Sequence, residues 1–339
     1  MHTPGPVFTR PRTPAAQCLH LVRLNPIVTR NELVEATGLS QPTITRATAA
    51  LLRSGLIHER RDLTRSQGRG RPTVPLEASE NDWILVGIAV GTAFTHIGFY
   101  DVLGRTLKRE NIATPVGSDH VEHIIAGVNR LATGLPGRLA SIGVTTSGTV
   151  DANNLVTAPN LGWEAMDIAS ELRYHFAVPV VVSSVIPAIL GSETQAALHN
   201  EHTALLYADD SVGAALSRGD EVHPYPLDDA HSLTTHAILS ASGCDSLASA
   251  SRPLLDERAR RLGRIAAQLI EEFSPSTLVV AGGAFLDDAS APKLFAATVR
   301  AAVGPEVQLR LIPSYSEIVR AVTRAIALDP LMREPLELA

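Results

Sequence analysis

The chain has only two cysteines, Cys18 and Cys244, in 339 residues. That excludes a disulfide framework and fits a reducing compartment. No apolar run approaches the roughly 20 residues needed to span a bilayer, so no membrane partner is expected. Low-complexity segments are absent. The opening MHTPGPVFTRPRTP lacks the apolar centre of a secretory leader. Residues 1–14 are therefore expected to be a flexible arm, and the protein to be cytoplasmic. Cys18, within AAQCLHLV, reads as a buried apolar residue of the first helix.

The hydrophobic content of 45% allows substantial cores, and the length suits a small domain followed by a larger one of two lobes. Charge divides along the same line. Residues 1–75 hold 11 arginines against four acidic residues, a net charge of +7, while the remainder holds 18 basic and 31 acidic residues. A basic head on an acidic body places a polyanion-binding surface at the N-terminus.

The head carries the most informative stretch, VTRNELVEATGLSQPTITRATAALLRSGLI. Thr29 and Glu32 have capping-box spacing. Gly38 stands where the turn of a helix-turn-helix needs a residue tolerant of positive φ. Ser40 is placed to cap the next helix, with Pro42 in its first turn. Ile44, Ala47 and Leu51 recur at helical spacing and form an inner face. That leaves Ser40, Gln41, Pro42, Thr43, Thr45 and Arg46 as the candidates for the DNA-facing turn, where short polar groups meet base edges and phosphates. Gly55 ends the helix. Leu56–Arg60 reads as a strand, RDLTRSQGRGRP as a basic loop and TVPL as a returning strand. A helix-turn-helix followed by a basic hairpin is a winged helix, whose wing residues Arg69 and Arg71 are expected to meet phosphate or the minor groove.

PLEASEND, residues 75–82, marks the boundary. Three domains are expected: the arm (1–14), the winged helix-turn-helix (15–78) and the body (83–339). In the body, three strands over 83–114, a helix at 119–133, the strand LASIGVTTSGTV, a helix at 165–176 and the strand VPVVVSS precede a partial repeat. The repeat runs through strands TALLYAD and VGAALSR, a helix at 254–273, STLVVAGGAF, a helix at 289–302, VQLRLIP and a helix at 315–328. Strands followed by alternating helices, given twice, suggest two α/β lobes with a cleft between them.

These segments resemble the ROK family of repressors, open reading frames and kinases, from about Pro14 to Leu328. The head is similar to that of ROK repressors at TGLSQPTITRATAALLRSGL and GRGRP. The body is similar at IGVTTSGTVD, APNLGW, VPVVVSSVIPAILGSE and LVVAGG, of which APNLGW is the most specific. The resemblance implies an actin-like, sugar-kinase-like body, with sugar between the lobes and Gly148 and Asn160 near it. It also implies where activity fails. Ala89 stands where kinase members carry an aspartate that organises metal and phosphate, and Val185 where they carry the general base. Valine has no proton acceptor, and phosphoryl transfer depends on such positioned groups. Asp151 and Glu193 are the carboxylates that could serve instead. In the segment SLTTH, His236 is retained and Leu233 replaces a sugar-contacting glutamate. Of the family's one-His, three-Cys zinc set only His236 and Cys244 remain, too few for a closed tetrahedral site. No metal or cofactor is expected. His223, His231 and His236 read as exposed loop histidines, with metal binding beside an aspartate as the alternative.

The expected function is a DNA-binding transcription regulator of the repressor type. Its partners would be a double-stranded operator, a sugar or sugar phosphate as effector, and a second copy of itself in a homodimer or tetramer. A sugar kinase bearing a DNA-binding head, and a regulator whose body no longer binds sugar, are the alternatives.

Overall fold

The computed structural model describes residues 7–64, 73–80, 83–115, 119–196, 202–228 and 230–338. They fall into two compact units, residues 1–183 with 323–339 and residues 184–322. The first unit thus holds the head together with the first α/β lobe.

The head begins with α1 (Pro14–Leu24), α2 (Arg30–Thr37) and α3 (Gln41–Arg53). Local chemistry sets their ends. Thr29 and Glu32 form the expected capping box, Gly38 closes α2 at φ 69°, and Ser40 caps α3. Capping contributes on the order of 1 kcal/mol per helix. Burial contributes more. Cys18, Leu19, Leu33, Ile44, Leu51, Leu56 and Leu76 are enclosed in one core, each worth roughly 1.5–3 kcal/mol for a large side chain. Burial also pushes the Cys18 thiol up to about 11, as expected of an inert core residue.

The hairpin comes next, β1 (Ile57–Glu59) and β2 (Leu76–Ala78), paired antiparallel with His58 opposite Glu77. The returning strand lies later than the predicted TVPL. Leu76 fills the core and exchanges both backbone hydrogen bonds with Val28, ahead of α2. That pairing partner, 48 positions earlier, sets the register. The arm is also held more tightly than its composition suggests. Phe8 is buried, and its N–H donates to Asp329 at 2.6 Å.

The first lobe follows as β3 (Trp83–Val90), β4 (Phe94–Tyr100), β5 (Thr106–Ala113), α4 (His120–Ala132), β6 (Arg138–Thr146), β7 (Thr149–Val150), β8 (Val156–Ala158), β9 (Trp163–Met166), α5 (Ile168–Phe176) and β10 (Val180–Ser184). The expected helix at 165–176 starts three residues later, because Trp163–Met166 pairs with β8 in a small three-stranded sheet. The main sheet has the order β10-β6-β3-β4-β5. Trp83 ties this lobe to the head. Its indole N–H reaches the Gly55 carbonyl at 3.4 Å, and the Arg138 guanidinium lies 4.0 Å from its ring.

The second unit contains α6 (Val185–Ala196), β11 (Thr203–Ala208), β12 (Val212–Arg218), β13 (Glu221–Tyr225), α7 (Thr235–Ser242), α8 (Arg252–Phe273), β14 (Thr277–Ala281), α9 (Gly283–Leu286), α10 (Ala291–Val303) and β15 (Gln308–Leu311). Its sheet runs β13-β12-β11-β14-β15. In each sheet a three-stranded antiparallel meander continues through its first strand into a parallel partner. One topology is therefore used twice, as the repeated pattern in the sequence suggested. The last helix, α11 (Tyr315–Arg333), runs past the predicted end at 328 with Pro330 inside it, and its residues from Thr323 onward belong to the first unit. No described helix is long and apolar enough to cross a membrane.

Candidate nucleic-acid interface and ligand-site residues

In the head, Ile44, Ala47 and Leu51 turn into the core, while Ser40, Gln41, Pro42, Thr45 and Arg46 are exposed and Thr43 is half-buried. Three of the candidates spend their hydroxyl groups locally. Those of Ser40 and Thr43 lie 2.9 Å apart, and Thr45 donates to the Gln41 carbonyl at 2.9 Å. The side chains of Gln41 and Arg46 make no hydrogen bond among the described residues, so their polar groups are available to a ligand. Arg69 and Arg71 lie outside the described residues.

The remaining arginines of the head divide by what they touch. Arg23 is half-buried, bonded to the Val102 carbonyl and the Met332 sulfur, and desolvation brings its pKa down to about 10. Arg60 binds Asp62 and Glu77, both at 2.7 Å. Arg30 reaches Thr48 and Glu59. These three brace the fold. Arg61, the first residue of the basic loop, is 83% exposed, although its Nε and Nη2 each donate to Glu59 at 3.4 Å. It joins Arg46 as a cation facing solvent, a residue that helical spacing alone did not single out.

In the first lobe, Asn160 donates to the Ser147 hydroxyl at 2.9 Å, and Gly148 donates through its N–H to Thr146 at 3.3 Å. A Cβ on Gly148 would collide with the Thr157 carbonyl and lie 2.6 Å from the Ala158 side chain, so only glycine fits this turn. Gly148 and Asn160 are thereby held on neighbouring turns of one unit, while His236 belongs to the other. Ala89 sits mid-sheet, opposite His96 and Thr145. Asp151 accepts the N–H groups of Asn153 and Leu155, each at 2.8 Å. That is a turn-forming role.

In the second unit Val185 opens α6, and Glu193 is ion-paired with Arg310. His236 is exposed near the start of α7. The Cys244 thiol donates to the carbonyls of Ser242 and Ser249 at 3.4 and 3.2 Å, and Leu233 is buried. Among the described residues no group of three or more His, Cys, Asp and Glu side chains is placed to hold a metal ion.

The Gly282–Gly283 turn follows β14. A glycine turn opening a helix after a parallel strand is a common seat for phosphate. Here acidic and phenolic oxygens occupy it. A Cβ on Gly283 would meet the Tyr315 hydroxyl, and would lie 2.7 Å from an Asp287 oxygen and 2.8 Å from an Asp209 oxygen. The Tyr315 O–H donates to Asp209 at 2.7 Å, and burial together with that bond raises its pKa. Asp210, beside Asp209, is pushed up by burial and by its neighbour's charge. An entering phosphate would meet carboxylates where it needs free N–H groups.

The ROK family model matches residues 85–219. The chain carries a ROK-family domain. A transcriptional regulator of Mycobacterium tuberculosis is 29% identical over an alignment covering 95% of this chain and 86% of that protein. The xylose repressor of Bacillus subtilis is 26% identical over 57% of this chain and 51% of its own length. Among solved structures, a ROK family transcriptional regulator described as a homologue of the Escherichia coli MLC protein superposes with a TM-score of 0.72 at 18% identity, covering 94% of this chain and 98% of that one. A ROK hexokinase from Thermus thermophilus superposes with a TM-score of 0.59 at 18% identity, covering 72% and 98%. The two structures establish the fold: an actin-like ROK body, with the helix-turn-helix head at the N-terminus of this chain.

Within that ROK fold, the positions expected to carry kinase chemistry hold Ala89 and Val185, neither of which can bind a metal or accept a proton. The two carboxylates that could serve instead are committed, Asp151 to its own turn and Glu193 to Arg310.

Proposed function

We propose that this protein is a DNA-binding transcription regulator of the repressor type, which reads a duplex operator with the N-terminal half of α3. The observation that carries the reading is the exposed, unengaged pair of side chains Gln41 and Arg46 on a capped helix whose opposite face is locked into the core. The names of the mycobacterial and Bacillus relatives agree with it. Two such helices on a symmetric homodimer would meet half-sites one or more helical turns apart. The protein would act in the cytoplasm, where its DNA target lies.

The ROK body serves assembly and sensing of a sugar or sugar phosphate, with Gly148, Asn160 and His236 as the retained candidates, and performs no phosphoryl transfer. Support for inactivity comes from Ala89, from Val185 and from the filled Gly282–Gly283 turn. The DNA reading is tested by offering the full chain a randomised pool of duplexes. Enrichment of one motif is expected, and a pool left unchanged after repeated rounds would refute it.

A further inference from the structure

Arg30 stands at the first turn of α2, 18 positions before Thr48 and 29 before Glu59, yet it joins both. Its Nε donates to the Thr48 hydroxyl at 3.2 Å and its Nη2 to a Glu59 oxygen at 3.0 Å. Thr48 lies in the middle of α3, fully buried, and donates in turn to the Ile44 carbonyl at 2.8 Å. Glu59 is the last residue of β1, the strand that leads into the basic loop. One guanidinium thus touches all three parts of the head that a duplex would meet: the scaffold helix, the candidate recognition helix and the base of the wing.

We propose that Arg30 and Glu59 form a positioning pair that fixes the angle between α3 and the β1–β2 strand pair, and thereby sets sequence-specific DNA affinity without either residue touching DNA. The inference rests on the DNA-binding reading above.

Three features support a geometric role over a phosphate contact. Both side chains are only about a quarter exposed, at 27% and 25%. Arg30 uses two nitrogens on two different elements, and a forked guanidinium held at two points resists rotation in a way a point charge does not. The Arg30 hydrogen bond is also the leading cause that holds the Glu59 carboxyl below its ordinary range, so the pair stays charged and bonded at neutral pH.

The pair makes a prediction opposite in sign to simple electrostatics. Removing an acidic residue from a DNA-facing domain raises its positive charge and should strengthen binding to any duplex. If Glu59 positions Arg30, removing it weakens specific binding instead.

The experiment titrates the full chain with two probes at several salt concentrations: the duplex motif that the wild-type chain enriches from a randomised pool, and mixed-sequence duplex. Wild type, Arg30→Ala, Glu59→Ala and the double alanine variant are compared below their melting temperatures. Each single substitution is expected to weaken binding to the enriched duplex about tenfold, the scale of coupling between directly bonded side chains. Mixed-sequence affinity should not fall by a comparable factor, the salt slope should stay unchanged, and the double variant should be no weaker than Arg30→Ala. A mere loss of stability would lower the melting temperature without changing the ratio of specific to mixed-sequence affinity in the folded chain. Glu59→Ala binding the enriched duplex as tightly as wild type or tighter would overturn the proposal. So would an Arg30→Ala variant that loses affinity equally for both probes with the slope reduced by about one, the signature of a phosphate contact. Failure of the wild-type chain to enrich any duplex would overturn the DNA reading itself, and this inference with it.

Discussion

The backbone N–H of Phe8 donates to a carboxylate oxygen of Asp329 at 2.6 Å, joining the N-terminal arm to the C-terminal part of α11. Asp329 is fully buried and also pairs with Arg333 at 2.8 Å. Around this joint Cys18, Val22, Trp83, Leu328, Leu331 and Met332 belong to a single hydrophobic cluster. The head is built into the first lobe, rather than tethered to it by a linker.

The Asp329→Ala variant should therefore be destabilised by about 1–3 kcal/mol, since it leaves the buried Phe8 N–H without its acceptor. Thermal unfolding followed by probes in the head and in the first lobe should show one coincident transition in the wild-type chain. Two separated transitions would show that the shared core does not couple them.

His20 on α1 gives the head a pH dependence of known sign. Burial, then the charges of Arg23 and Arg10, bring its pKa from 6.5 down to about 4. The fold thus favours the neutral ring. The stabilisation is complete above the unfolded value and is lost as the pH falls toward the folded value. By pH 5 the His20→Leu variant should have gained about 2 kcal/mol on the wild type relative to their difference at pH 7. Equal acid sensitivity in chemical denaturation of the two proteins would count against this.

The wing residues Arg69 and Arg71 are proposed to neutralise phosphate. The double alanine variant should bind specific and mixed-sequence duplexes more weakly, with the salt slope reduced by about one per lost contact. A slope equal to that of the wild type would remove the wing from the interface.

Catalysis is tested by sugar-dependent ATP turnover and by metal analysis on one preparation. No turnover above background is expected, because losing a general base alone costs a factor of about 100–10,000. Stoichiometric zinc is not expected either. Turnover removed with the protein by affinity depletion would show that another carboxylate serves as base. Zinc at about one per chain, lost in His236→Ala, would restore the metal site.

What was legible in the sequence was local. Thr29 with Glu32, Gly38, Ser40 and the Ile44–Ala47–Leu51 face follow rules that span no more than eight residues, and the structure places each as those rules require. What was hidden depends on partners distant in the chain. The second wing strand takes its register from Val28, Phe8 finds Asp329, and Tyr315 closes the glycine turn from 106 positions beyond Asp209. Arg30 reads in sequence as one more basic residue, and only the fold shows that Glu59 claims it. The candidate ligand residues were legible through family likeness, since neither the spacing of Asn160 nor that of His236 carries a chemical signature of its own.

The most direct test of the central claim is the affinity of the Arg46→Ala chain for the duplex motif that the wild-type chain enriches, measured beside wild type at one salt concentration. Arg46 is exposed on α3 and unengaged within the described residues. If it reads a base, its loss should cost about 1–3 kcal/mol on the enriched duplex and relax specificity at one position of the motif. Unchanged affinity and an unchanged motif, with the helical content intact by circular dichroism, would contradict the assignment of α3 as the recognition helix.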